Sequence, residues 1–349
     1  MTIAEAPQQR VGETPYEVIY TENSLQLRRY EPPERCHQTP ILVVYALINR
    51  PYVLDLETDR SVIQRLLSAG FVVYLVDWGE PTRLDGHLGL SDYAGRLLRN
   101  CREAALNDAG ASDCHLLGYC MGGTIAAVHA ALDTTQIRTL TTVAAPIAFD
   151  GKGGILELWA TSIDIEPLLQ RVALVPGQLL ARVFAAVDPI ENTVGKLTDL
   201  ATRSGDAAAI ATFLRIERWI WDSVDVPRKV FRDFVIDLYS ENKLATGRLK
   251  VAGQRIDLGD IGVPHQHIVG EADDLVPPAS TRPLAAAIDN HDGRVVEFPA
   301  GHVGLSVSAR AHDDLWPGVA TWLAERSVPV ETPTSDESVV RTASGSRNS

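Results

Sequence analysis

Apolar and polar positions change rhythm several times along the chain. In "YEVIYTENSLQLRRYEP" (Tyr16 to Pro32) they alternate, which predicts two short strands turning at Glu22 and Asn23 and forming an antiparallel edge. "TPILVVYALI" (Thr39 to Ile48) is instead a continuous apolar run rich in β-branched residues, the pattern of a strand covered on both faces. A helix over "RSVIQRLLSAG" and a second buried strand over "FVVYLVDWG" follow. "GLSDYAGRLLRNCREAALNDAG" has helical spacing, with Ser91 as its cap, and "DCHLLGY" reads as a third buried strand. Met121 to Leu132 is helical again, and "IRTLTTVAAPI" supplies a fourth.

Strands alternating with helices predict a mostly parallel sheet with helices on both faces, and in such sheets ligands meet the carboxyl ends of the strands. From Asp150 to Lys250 the alternation stops. The segment is helical in pattern, punctuated by Pro189 and Pro227, and is expected to be an inserted cap or lid. Strands return in "VPHQHIVGEADDLVPP" and "RVVEFPAGHVGLSV", and a helix over "LWPGVATWLAERS" closes the pattern. The expected divisions are residues 1–38 (edge strands), 39–150 (first part of the core), 151–250 (cap), 251–327 (second part of the core) and 328–349, a polar Ser/Thr-rich disordered tail.

With 349 residues, 45% hydrophobic and 22% charged, the chain has the composition of a globular protein with a large core. Its net charge of -13 opposes non-specific attraction to nucleic acid or anionic lipid. No apolar run reaches the ~18 to 20 residues of a membrane-spanning helix, and the first residues lack the basic and apolar regions of a signal peptide, so a cytoplasmic protein is expected. The four cysteines, Cys36, Cys101, Cys114 and Cys120, show no metal-ligand spacing, and neither a metal nor a disulfide is expected.

Gly118-Tyr119-Cys120-Met121-Gly122 fits the nucleophile-elbow pattern G-x-S-x-G with cysteine in place of serine, between a predicted strand and a predicted helix. A turn this tight needs small neighbours, and it places Cys120 at a helix amino terminus, where free N–H groups favour a thiolate. The Met121 N–H is then available to an oxyanion. The structural alternative is a buried small residue between glycines that merely permit close packing.

The rest of the chain bears on that choice. A thiol nucleophile wants an imidazole base held by a carboxylate, and in hydrolase-like α/β folds the chain order is nucleophile, acid, histidine. "GEADDLVPP" places Asp273 and Asp274 just beyond the predicted strand His267 to Gly270, and "FPAGHVGLSV" places His302 just beyond Val295 to Phe298. Asp77 in "LVDWG", which also ends a predicted strand, is a rival acid. The remaining histidines lack the glycine-flanked loop that presents His302 and read as surface or satisfied interior residues.

At this point the chain resembles the polyhydroxyalkanoate synthases, and in particular the short catalytic subunit of the two-subunit class. The stretches that carry the resemblance include "PYEVIYTENSLQLRRYEP", "ALINRPYVLDLETDRSVIQRLLSAGFVVYLVDWGEP", "HLLGYCMGG", "ERWIWDSVDVPRKVFRDFVIDLYSENKL", "GEADDLVPP" and "GHVGLSVS". The resemblance implies an α/β-hydrolase fold with a mostly parallel central sheet and a helical cap, Cys120 as the acyl carrier, Asp273 as the acid and His302 as the base. Asp274 fills the variable place of the acid motif. It implies a (R)-3-hydroxyacyl-coenzyme A substrate, 3-hydroxybutyryl-CoA first among them, with CoA a product and no separate cofactor. A second oxyanion donor is expected near Ile48 or Asn49. A non-catalytic partner subunit, a homodimer and residence at polymer granules are further implications. Two alternatives stay open on the residues: a cysteine-dependent thioesterase or lactone hydrolase with water as acceptor, and a non-catalytic granule-binding protein.

Overall fold

The computed structural model describes residues 11–187 and 205–330. Eight strands form the main sheet: β1 (Glu17–Glu22), β2 (Leu25–Tyr30), β3 (Ile41–Val44), β4 (Val73–Asp77), β5 (Cys114–Tyr119), β6 (Ile137–Val143), β7 (His265–Gly270) and β8 (Gly293–Phe298). Their spatial order is β1-β2-β4-β3-β5-β6-β7-β8. The hairpin β1/β2 joins β4 antiparallel, and every other pairing is parallel. The central strands β3, β4 and β5 are buried along their whole length, because helices cover both faces and Val, Ile and Leu fill both.

Three helices flank the first half of the sheet: α1 (Val62–Ser68), α2 (Leu98–Ala109) and α3 (Met121–Leu132). Ser61 caps α1, its hydroxyl accepting from Gln64 N at 3.0 Å. The expected cap of the next helix is different. Ser91 lies inside a helical run that begins at Leu90 and continues as a wider π-helical stretch over Asp92–Leu97, and its hydroxyl accepts from Ala252 N instead. β3 is also shorter than the apolar run that predicts it. After Val44 the chain leaves the ladder, the Tyr45 carbonyl accepting from Trp78 Nε1 at 2.9 Å.

Between β6 and β7 the described chain is largely helical, with Gly154–Ser162, Glu166–Leu169, Gly177–Ala185, Ala207–Trp221 and a run from Arg228 to Ser240. Pro189 falls outside the described residues. The helical pattern misses one feature, an antiparallel pair of two-residue strands, Leu174–Val175 with Val226–Pro227. At the C-terminal end, Val328 to Val330 do not begin a loose tail: Gln38 N donates to Val328 O and Val330 N to Cys36 O, at 2.7 and 3.0 Å. The rest of the expected tail lies outside the described residues.

Candidate active site

The site grows from the end of β5. Cys120 adopts φ 54° and ψ -128°, left-handed backbone that a side chain enters at a cost of about 1–3 kcal/mol. Hydrogen bonds hold it there: Cys120 N donates to Val143 O at 2.9 Å, and Cys120 O accepts from Gly123 N at 2.8 Å. The flanking glycines are sterically required. A Cβ on Gly122 would stand 2.1 Å from Val44 O, and one on Gly118 would stand 2.5 Å from Gly122 O. The sulfur is therefore carried on a rigid turn, half-buried, at the first turn of α3. Met121 opens that helix, so its N–H has no acceptor within the helix.

His302 follows β8 and Asp273 follows β7. The imidazole Nδ1 lies 2.7 Å from Asp273 Oδ2, and the Asp273 side chain is completely buried. The second Asp273 oxygen accepts from Leu275 N and Val276 N at 3.0 and 2.8 Å, which fixes the carboxylate in a tight turn. Burial works against a charged ring at His302. The negative charges of Asp273 and Cys120, and hydrogen bonds from the ring to both, outweigh it and hold the His302 pKa well above that of ordinary imidazole. With Nδ1 given to Asp273, Nε2 is left for the sulfur. Cys120, Asp273 and His302 thus come together from three strand ends, in the chain order expected for nucleophile, acid and histidine.

The structure also separates the rivals. Asp274 is exposed, and Asp77 gives its carboxylate to Arg28 and to Gly79 N. Burial pushes His115 and His267 down to about 3, and His129 and His312 down to about 4; each is bonded inside the fold. Burial pushes the Cys101 and Cys114 thiols up to about 12, the setting of inert cysteines. The elbow abuts Val44 and Tyr45, whereas Ile48 lies further along, its carbonyl accepting from Val224 N, with Asn49 bridged to Ser223. Among the described residues no group of three or more His, Cys, Asp or Glu side chains is arranged to hold a metal ion.

One positioning residue escaped the sequence reading. Tyr119, immediately before the nucleophile, donates from its hydroxyl to His302 O at 2.6 Å, and its ring meets the imidazole edge-on at 5.8 Å. The elbow strand therefore holds the histidine loop directly. A signal was present: a buried tyrosine must place its hydroxyl on a partner, and Tyr119 ends a strand buried along its whole length.

Residues 7–66 match the family described as the N-terminus of poly-beta-hydroxybutyrate polymerase (PhaC), and residues 51–315 match the alpha/beta hydrolase family. Among solved structures, the fold is similar to the monoacylglycerol lipase of Paleococcus ferrophilus, with a TM-score of 0.52, 18% identity, and 87% of this chain and 99% of that one covered. The poly(3-hydroxyalkanoate) polymerase subunit PhaC of Haloferax mediterranei is 45% identical over 95% of this chain and 68% of its own length. The subunit of the same name from Allochromatium vinosum is 36% identical, with 90% of each chain covered. An α/β-hydrolase scaffold together with identity of this extent over nearly the whole chain makes it a member of the poly(3-hydroxyalkanoate) polymerase (PhaC) family.

Proposed function

We propose that this polymerase joins (R)-3-hydroxyacyl units, 3-hydroxybutyryl in the first instance, from their coenzyme A thioesters, carrying the chain as a thioester on Cys120. The reading rests above all on the Cys120, His302 and Asp273 arrangement within a chain whose named relatives are polymerases. His302 takes the thiol proton, and the thiolate attacks the substrate carbonyl. The Met121 N–H and a second donor from the loop after β3 receive the oxyanion, and CoA leaves with the proton that His302 returns.

A thiol suits this reaction because one thioester replaces another at nearly equal free energy, so the bound acyl group stays activated. The hydroxyl of another unit then attacks the Cys120 thioester and gives its proton to His302, and the sulfur departs as thiolate. Passing from thioester to oxoester drives growth. The segment 151–250 serves as a lid that keeps water from the acyl enzyme.

The proposal extends to a second, non-catalytic subunit, a homodimer and a granule-bound cytoplasmic protein. The name of the relatives, a polymerase subunit, supports the first. Leu158, Ile163, Leu168 and Trp221 in the cap expose apolar surface suited to such contacts. No described helix is long and apolar enough to cross a membrane. Incubation with 3-hydroxybutyryl-CoA tests the reaction: insoluble polyester with CoA release supports it, whereas free hydroxy acid alone establishes a hydrolase.

A further inference from the structure

His302 lies just before a single helical turn, Gly304–Val307, whose last carbonyls have no partner within the helix. Side chains from elsewhere take them up. Trp316 Nε1 donates to Leu305 O at 2.9 Å, His312 Nε2 to Ser306 O at 2.8 Å and Arg60 Nη1 to Val307 O at 2.6 Å, while Tyr119 donates to the carbonyl of His302 itself. Tyr119, His312 and Trp316 are buried in the core and cannot shift without it. Arg60 is the exception, only half-buried.

Arg60 stands on a short hairpin, Asp55–Glu57 with Arg60–Ser61, which the buried Asp55 fixes by accepting from Ser61 Oγ at 2.6 Å and Thr14 Oγ1 at 2.7 Å. Its guanidinium has a second commitment. Arg60 Nε lies 2.9 Å from Glu57 Oε1, and Glu57 also reaches the cap, accepting from Thr212 Oγ1 on that oxygen at 2.7 Å and from Arg215 Nη1 on the other at 2.6 Å. One carboxylate thus joins the helix Ala207–Trp221 to the arginine that holds the histidine turn. With Arg215 on one oxygen, Arg60 meets Glu57 through the other alone. Once the cap helix withdraws, both oxygens fall to Arg60, and an arginine facing a free carboxylate binds it through two nitrogens. The guanidinium then turns relative to Val307 O, and the segment behind the imidazole loses one of its four holds.

We infer that Glu57 and Arg60 are positioning residues for His302, making the placement of the base depend on a seated cap helix, so that acyl transfer is fastest when the site is covered. The inference rests on the acyl-transfer reading above.

Single-turnover CoA release from 3-hydroxybutyryl-CoA tests it in the full chain, in Arg60→Met, in Arg215→Met and in the double variant. Arg60→Met is expected to lower the maximal rate about tenfold while the half-saturating concentration stays within about twofold, because a displaced base costs rate and not binding. Arg215→Met should slow the reaction about fivefold when Arg60 is present and no further when it is absent, and Arg215→Lys, which keeps a cation for Glu57, should restore most of the rate. Independent losses that multiply in the double variant, or an unchanged maximal rate in Arg215→Met, overturn the link. So does a change confined to the half-saturating concentration. Should Arg60→Met fail to fold, the contrast of Arg215→Met with Arg215→Lys decides alone, equal rates overturning the link. An unaltered chain that releases no CoA overturns the acyl-transfer reading, and the link with it.

Discussion

The helix α3 and the cap helix Ala207–Trp221 are both rich in apolar residues, yet they live in different surroundings. Every residue of α3 except Leu132 is buried, and Cys120 caps its amino terminus. In the cap helix only Trp219 is buried, and Leu214 and Trp221 are exposed. The difference lies in what each helix packs against: α3 lies on β5 and β6 with Gly122 and Gly123 letting backbones meet, whereas the cap helix rests on the molecule through one edge. Strain at Cys120 is stable only where packing over-determines the backbone, and a cover that must admit substrate belongs at the weakly packed end. The molecule thus pairs a rigid floor with a lightly held roof.

The sharpest way to break this division is at the floor. Cys120→Ala is expected to lower CoA release at least about a thousandfold, with a melting temperature unchanged within a degree or two, because a small side chain replaces another on a turn fixed by backbone bonds. A comparable loss from truncating Leu168 in the cap would show that the chemistry is not confined to the sheet edge. Asp273→Asn comes next. Its amide offers His302 Nδ1 a donor where an acceptor is needed, which weakens His302 as a base; a thiol, far more acidic than an alcohol, needs that base less, so elongation should fall about a hundredfold or more while the first acylation proceeds. Rapid-quench measurement of both steps checks this. Equal loss of the two would contradict a separate role for the aspartate in chain growth.

Acidity sharpens the comparison at intermediate size. His115, His129, His267 and His312 all lie in the sheet and the helices packed on it, and residues 151–250 contain no histidine. These four have folded values of about 3 to 4, below the unfolded value near 6.5, so their contribution is complete above that value and is lost as pH falls toward 4. The slope expected is about 1.4 kcal/mol per pH unit for each histidine. His302 runs the other way: its contribution is complete below the ordinary imidazole value and is lost as pH rises through its raised one. Denaturant titrations from pH 4 to 9 should show the acid loss, and the stability gap between the protein and its His302→Gln variant should narrow at alkaline pH. The smallest effect belongs to the roof. Leu168→Ala, exposed at 64%, should change stability by less than about 0.5 kcal/mol in the same titrations.

Much of the floor was legible in the sequence because its signals are local. Strands β3 to β6 are runs of β-branched and aliphatic residues, and the elbow is five consecutive positions. The strand ends before Asp273 and His302 could be placed from short apolar runs. What escaped depends on partners far along the chain. The choice of Asp273 over Asp274 is made by the turn at Leu275 and Val276, which buries one carboxylate and exposes its neighbour. Tyr119 is 183 residues from the histidine whose carbonyl it holds. Ser91 has a cap residue's chemistry, but its hydroxyl is used by Ala252 and the helix begins before it. In the cap, the strands Leu174–Val175 and Val226–Pro227 are too short for any periodicity to announce. Val328 to Val330 look like tail until their backbone meets Cys36 and Gln38.

The central claim is that the growing chain is held on one sulfur, and intact-protein mass spectrometry after acid quench in the first turnover tests it most directly. The expected result is a hydroxyacyl adduct on the peptide that contains Cys120, formed in step with CoA release and absent from Cys120→Ala. CoA release that persists in that variant, or an adduct on another residue, would contradict the account.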